Sequence, residues 1–210
     1  ETLQSAVFQS GAKFKYSKVS DTGTHESYKR SLELLSMAGL VHKVYHTAAG
    51  GIPLGAQINQ RHFKVIPLDV GLKQRMLGLD LAELVSIPTI DLINKGSLAE
   101  TFVGLEMIAS QVPHIKAQLY YWHREARSSN AELDFVIQKS SLIVPVEVKS
   151  GKRGSMQSLA LFMKSHSSEF GVRLSLENIG KYNNVCIIPV YMAGTIISPD
   201  FAFISMKPSR

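Results

Sequence analysis

The stretch Glu132-Leu133-Asp134-Phe135-Val136-Ile137-Gln138-Lys139-Ser140-Ser141-Leu142-Ile143-Val144-Pro145-Val146-Glu147-Val148-Lys149 decides how the rest of the chain is read. Its first part alternates with a period of two, Leu133, Phe135 and Ile137 to one side and Glu132 and Asp134 to the other. Its last part does the same, with Val144, Val146 and Val148 opposing Pro145, Glu147 and Lys149. The polar residues 138–142 between them suit a hairpin turn. A turn centred on Ser140-Ser141 sets a register that puts Asp134 directly opposite Glu147. Opposed side chains in an antiparallel pair have Cβ atoms about 4.5–5.5 Å apart. Two carboxylates that close repel each other unless a cation or a shared proton compensates. Lys149 projects from the same face as Glu147. Asp, Glu and Lys gathered on one sheet face suit a divalent-metal site acting on phosphodiesters; the alternative is a salt-bridged face beneath a helix. Pro145 has no N–H to donate, so its strand is expected to pair at an edge or to start there.

Working outward, residues 98–110 predict a helix with Leu98, Phe102, Val103, Leu105, Met107 and Ile108 apolar. It carries Glu100 and Glu106, six residues or about 600° apart, so only one can aim squarely at a common site. A strand is expected over 118–123, a helix over 155–166 with Leu159, Leu161, Phe162 and Met163 apolar, and a final buried strand over 185–192. The order is α-β-β-β-α-β, an α/β core with a mixed central sheet.

Upstream, 27–38 reads as an amphipathic helix with Tyr28, Leu32, Leu35 and Met37 on its apolar side, capping residues over 20–24 and Gly39 as its stop. A strand over 40–46, a tip over 47–53 and a return over 57–66 complete a winged-helix-like order. In such modules a helix can enter a major groove while the hairpin touches phosphates. Lys13, Lys15, Lys18, Lys29 and Arg30 are the phosphate-contact candidates there; an interdomain or protein-contact role fits the same order. We therefore expect a winged-helix-like module over 1–75, a linker over 76–89 and a second domain over 90–210.

Composition bounds the rest. Apolar content of 45% and charged content of 19% describe an ordinary folded chain. The net charge is +5 over 1–75, −3 over 76–126 and +4 over 127–210, a pattern compatible with nucleic-acid contact. Cys186 is the lone cysteine and sits in an apolar run, so it is expected in the core of a cytoplasmic protein with no disulfide framework. No apolar run reaches membrane-spanning length, and nothing sets an oligomeric state. The chain opens on Glu1 rather than methionine, so a longer parent is expected.

Other residues carry weaker signals. His42, His46, His62, His114, His123 and His166 show no ligand-like spacing beyond His42-x-x-x-His46, whose members would stand about 13 Å apart on a strand. Trp122 reads as a core aromatic, with base stacking as the alternative. Lys152 and Arg153, in the loop that follows Lys149, are candidates for phosphate contact.

The element order together with Asp134 and Glu147-x-Lys149 resembles the PD-(D/E)xK nuclease-like superfamily, with its restriction-endonuclease-like fold. A longer resemblance, to the domain of unknown function 4143, rests on 30–41, Pro67-Leu68-Asp69-Val70-Gly71-Leu72, Ala99-Glu100-Thr101-Phe102-Val103-Gly104-Leu105-Glu106, Tyr120-Tyr121-Trp122-His123-Arg124 and the two hairpin strands. That family typically forms the C-terminal part of prokaryotic AAA-type ATPases. The resemblance implies Asp134, Glu147 and Lys149 as catalytic residues, and Mg²⁺ or Mn²⁺ held by Asp134, Glu147 and an outer or second-metal ligand from the helix, Glu100 with Glu106 as the alternative, with the Val148 carbonyl as a further ligand. It also implies DNA as partner, for which Lys29, Arg30, Lys152 and Arg153 are the contact candidates read above, and an ATPase module of the same parent. No G-x-x-x-x-G-K-[S/T] motif occurs, so ATP belongs to the parent rather than to these residues. A catalytically inactive nuclease-fold module, regulating the ATPase through protein contacts, is the alternative.

Overall fold

The computed structural model describes residues 1–79, 95–124, 131–151, 154–199 and 201. Its N-terminal part runs α1 (Thr2–Phe8), α2 (His25–Met37), β1 (Val41–Thr47), β2 (Ile58–Pro67) and α3 (Val70–Met76). Helix α2 starts where the Thr24 side chain accepts the Ser27 N–H at 3.2 Å. It stops at Gly39, whose φ of +73° lets the Leu40 N–H turn back to the Leu35 carbonyl. Tyr28 and Leu32 are buried as the periodicity predicts, whereas Met37 is exposed. Helix α3 was not anticipated; Asp69 caps it by accepting the Leu72 N–H at 2.6 Å.

The remainder runs α4 (Lys95–Ala109), β3 (Leu119–His123), β4 (Glu132–Lys139), β5 (Leu142–Val148), α5 (Gln157–Ser165), β6 (Gly171–Ser175), β7 (Gly180–Tyr182), β8 (Val185–Pro189) and a 3-10 segment, Val190–Ile197. The expected α-β-β-β-α-β order is present with two added strands, β6 and β7. Its last strand ends at Pro189, where the 3-10 segment begins.

All eight strands share one mixed sheet, in the order β2-β1-β3-β4-β5-β6-β8-β7. The segment expected as a winged-helix-like module keeps its helix-then-hairpin order, but its hairpin is not a free wing. Strand β1 pairs in parallel with β3, Val44 with Leu119 through His46 with Tyr121, so β1 and β2 are one flank of the common sheet. Of the expected linker 76–89, residues 80–89 lie outside the described residues.

One sheet face carries Val44, Ile66, Tyr121, Phe135, Val146 and Leu174 against Val103 and Met107 of α4 and Ala193 and Ile196 of the 3-10 segment. The other face is covered in two places. Leu159 and Phe162 of α5 pack on Trp122, Leu133 and Val136, while Ala6 and Leu32 of α1 and α2 pack on Val41, Phe63 and Val65. Trp122 meets Phe162 edge-on at 5.2 Å and is a core aromatic. Each fully buried side chain of this size contributes roughly 1.5–3 kcal/mol. Helix α4 approaches the sheet at Gly104, where an added Cβ would lie 2.6 Å from Ile66 Cδ1 and 3.2 Å from Phe135 Cζ.

The hairpin has the expected register, running from Phe135 opposite Val146 to Lys139 opposite Leu142, with Ser140 turning at φ +54°. Its alternation breaks in one place. Tyr120 pairs with Val136 but Trp122 with Leu133, so Asp134 and Phe135 together face Tyr121 in a β-bulge. Leu133 therefore joins the α5 side of the sheet while Phe135 and Ile137 stay on the α4 side, contrary to the single apolar face expected for 132–137. Pro145 also departs from expectation. It sits mid-strand, buried and opposite Val136, in a strand flanked on both sides. Pairing with β6 begins only at Val146, so one flank of Pro145 has no ladder to complete.

Candidate functional site

Asp134 and Glu147 stand one step beyond the last paired residues of the hairpin, Phe135 and Val146. Asp134 Oδ2 accepts the Val148 backbone N–H at 2.7 Å. Glu147 is buried, and its Oε1 is ion-paired with Lys149 Nζ. The Lys149 backbone N–H is held by the Leu174 carbonyl at 2.8 Å, which fixes the residue after β5 against β6. Glu147 Oε2 is buried and has no hydrogen-bond partner among the described residues. Beside Glu147, in register on β6, lies the buried Arg173, whose Nη2 reaches Glu177 at 3.0 Å.

Helix α4 brings Glu100 to the same end of the sheet; Glu106, one and two-thirds turns on, lies instead against the 3-10 segment near Gly194. Glu100 is buried and does not meet a bare carboxylate. Lys64 of β2, 1% exposed, places its ammonium 2.9 Å from Glu100 Oε1 and 2.6 Å from Glu132 Oε1, over the Tyr121 ring at 5.1 Å. Burial alone would push the Lys64 ammonium toward losing its proton, but Glu100, Glu132 and Asp134 together hold its pKa above the ordinary lysine value. A lysine thus supplies a compensating cation among these carboxylates.

Burial is also the main influence on the acids. It raises the Asp134 carboxyl well above the ordinary range, with Glu100 and Glu147 adding to the rise and Lys64 and the Val148 N–H opposing it. Burial raises Glu147 as well, against the hydrogen bond and charge of Lys149. Two buried carboxylates with raised pKa values, an adjacent lysine and an unpartnered oxygen make a site able to take a hard cation or to share a proton. As a trio, however, Asp134, Glu147 and Glu100 do not bring their oxygens within 4.8 Å of one another.

Lys29 and Arg30 are exposed on α2, and Lys13, Lys15 and Lys18 are exposed before it. Lys152 and Arg153 lie outside the described residues. The sequence reading missed Lys64, which sits in an otherwise apolar strand run, and Arg173, whose short strand has only five residues. It also missed that His46, His62 and His123 each place a ring nitrogen within 4.8 Å of the others. Their strands meet only in the folded sheet, so no spacing in the chain announces them.

Residues 95–192 match the family described as Domain of unknown function (DUF4143), and residues 1–83 match Domain of unknown function (DUF8612). No curated protein and no solved structure matches the chain. The two matched segments meet physically in the parallel pairing of β1 with β3 and in the Lys64–Glu100 ion pair. Among the described residues, no helix is long and apolar enough to cross a membrane.

Proposed function

We propose that this chain is a DNA-interacting module with a Mg²⁺- or Mn²⁺-dependent phosphodiester-hydrolysing site of the PD-(D/E)xK, restriction-endonuclease-like kind. In this reading it is the C-terminal region of a cytoplasmic prokaryotic AAA-type ATPase. The observation that carries the proposal is the meeting of Asp134 with Glu147 at the end of the β4–β5 hairpin, with Lys149 on Glu147 and Glu100 arriving from α4.

The residues fit an oxygen-seeking dication. Asp134 and Glu147 are hard donors, and Glu147 Oε2 is a buried acceptor with its hydrogen-bonding capacity unused among the described residues. Asp134 and Glu147 would hold the ion, with Glu100 as an outer carboxylate. When bound, the ion would lower the pKa of a coordinated water and neutralise charge growing on the phosphoryl oxygens. Lys149 would orient the attacking water or donate to the developing oxyanion. Lys29 and Arg30, with Lys152 and Arg153, would contact the DNA backbone.

A second reading has its own support: a catalytically inactive module that regulates the ATPase through protein contacts. Lys64 already compensates Glu100 and Glu132, so these acids can be satisfied without metal. Cleavage of single-stranded, duplex and branched DNA in Mg²⁺ and in Mn²⁺ separates the two. Cutting that is lost in Asp134→Ala and Lys149→Ala supports the first. No cutting by the wild-type chain on any substrate leaves the second.

A further inference from the structure

We propose that His46, His62 and His123 form a binding site for a divalent transition metal, zinc by the chemistry of its donors, distinct from the hairpin carboxylates. The three rings come from adjacent strands. By strand alternation each extends a core-facing row on the α4 side: His46 follows Val44 on β1, His123 follows Tyr121 on β3, and His62 precedes Lys64 on β2. Two local features bring them together. Parallel pairing sets His46 beside Tyr121, two residues from His123. The β1–β2 register jumps from Tyr45–Phe63 to His46–Asn59, so His62 lies in an enlarged bulge beside His46. Bulges commonly re-aim side chains next to functional sites.

The resulting geometry suits one ion. One ring nitrogen of each histidine lies within 4.8 Å of the other two. Nitrogens at about 2.0–2.1 Å from a tetrahedral zinc stand about 3.3 Å apart, so binding would turn the rings and draw their nitrogens together. The rings of His46 and His123 are stacked at 4.1 Å, and His62 lies 5.7 Å from His123 and 6.1 Å from His46. His46 Nε2 lies 3.3 Å from the His123 carbonyl oxygen. With the proton on Nε2, this bond fixes the tautomer that offers Nδ1 to a metal, the usual outer-shell arrangement for a ligating histidine. Glu132, opposite His123 on β4, is ion-paired with Lys64 at 2.6 Å.

Three histidines leave one tetrahedral position open, which is the pattern of catalytic rather than structural zinc. His46 and His123 line a cleft of about 580 Å³ that Asn59, Arg61 and Arg124 also border. An exchangeable water or a small anion would take the fourth position from that side, with the two arginines favouring the anion.

The test uses the untagged full chain stripped with chelator. Calorimetric titration with zinc is expected to give one ion per chain, and cobalt is expected to give the visible absorption of a four-coordinate site. His62→Asn and His123→Asn should each lose at least the roughly 10-fold in affinity that removing even an outer-shell partner costs a metal site. Asp134→Ala and His114→Asn should bind zinc as the wild type does. Because a variant can fail by misfolding, imidazole NMR of the wild-type chain gives a second readout, in which zinc should shift three histidine ring signals and spare the rest. No zinc uptake, unchanged affinity in both histidine variants, or ring shifts at other histidines would overturn the proposal.

Discussion

Asp134 Oδ2 accepts the Val148 backbone N–H at 2.7 Å, so the acid at the centre of the site also closes the end of its own hairpin. The bulge that sets Asp134 and Phe135 against Tyr121 makes this possible by taking Asp134 out of the regular ladder. The carboxylate therefore has a structural role and a potential chemical one, and these separate on substitution.

Asp134→Asn keeps an acceptor for Val148 and removes the titrating group. Because the Asp134 carboxyl is raised, chiefly by burial, the native state keeps a proton that the unfolded chain has released across the window from the ordinary carboxylate range up to the raised value. Stability contributed at this position accordingly falls as pH rises through that window. The variant should gain on the wild type, by on the order of 1 kcal/mol, between about pH 5 and about pH 8. Urea unfolding at both pH values checks this; a pH-independent difference would contradict it.

Lys64 is surrounded by carboxylates, so losing it is expected to be severe. Lys64→Met should destabilise by about 3–5 kcal/mol, because Glu100 would be left buried and uncompensated. Adding Glu100→Gln should restore part of that loss. A double-mutant cycle by urea unfolding measures the coupling, and strict additivity would show that the pair does not interact.

Lys73, fully buried on α3, donates to Ser10 Oγ at 2.8 Å, the Ser97 carbonyl at 2.7 Å and Thr101 Oγ1 at 2.8 Å, joining the N-terminal segment to α4. Burial lowers its pKa to about 8, with Glu100 opposing. From about 8 to the ordinary 10.5 the unfolded chain binds a proton that the native state does not, so stability rises with pH across this window. Lys73→Met should flatten that rise. Unfolding midpoints at about pH 8 and about pH 10 read it directly.

Gly104 is where α4 lies against Ile66 and Phe135. Gly104→Val should destabilise by about 1–3 kcal/mol through overpacking, despite the better backbone entropy of valine. A Tm equal to that of the wild type would show that α4 can move away from the sheet.

Much of this architecture was legible from local pattern. The two hairpin strands, the Ser140-Ser141 turn and the Gly39 stop are local physics and lie where the residues predict them, and the helix cap, Thr24, falls within the expected 20–24. What was not legible depends on distant partners. The bulge at Asp134 is imposed by pairing with β3, which no pattern within 132–137 encodes. The hairpin of β1 and β2 looks like a separate wing until β1 is seen beside β3, some 75 residues later. Lys64 and the three histidines were invisible for the same reason, since each acquires its partners only across the sheet. Arg173 lies on a five-residue strand too short to give a periodic signal.

Calorimetric titration of the chain with Mn²⁺, wild type against Asp134→Ala, tests the central claim most directly. The wild type is expected to bind Mn²⁺ with release of a proton from Asp134, and Asp134→Ala is expected to abolish this binding while remaining folded. Wild-type chain that takes up no Mn²⁺, or an Asp134→Ala variant that binds it unchanged, would contradict the account.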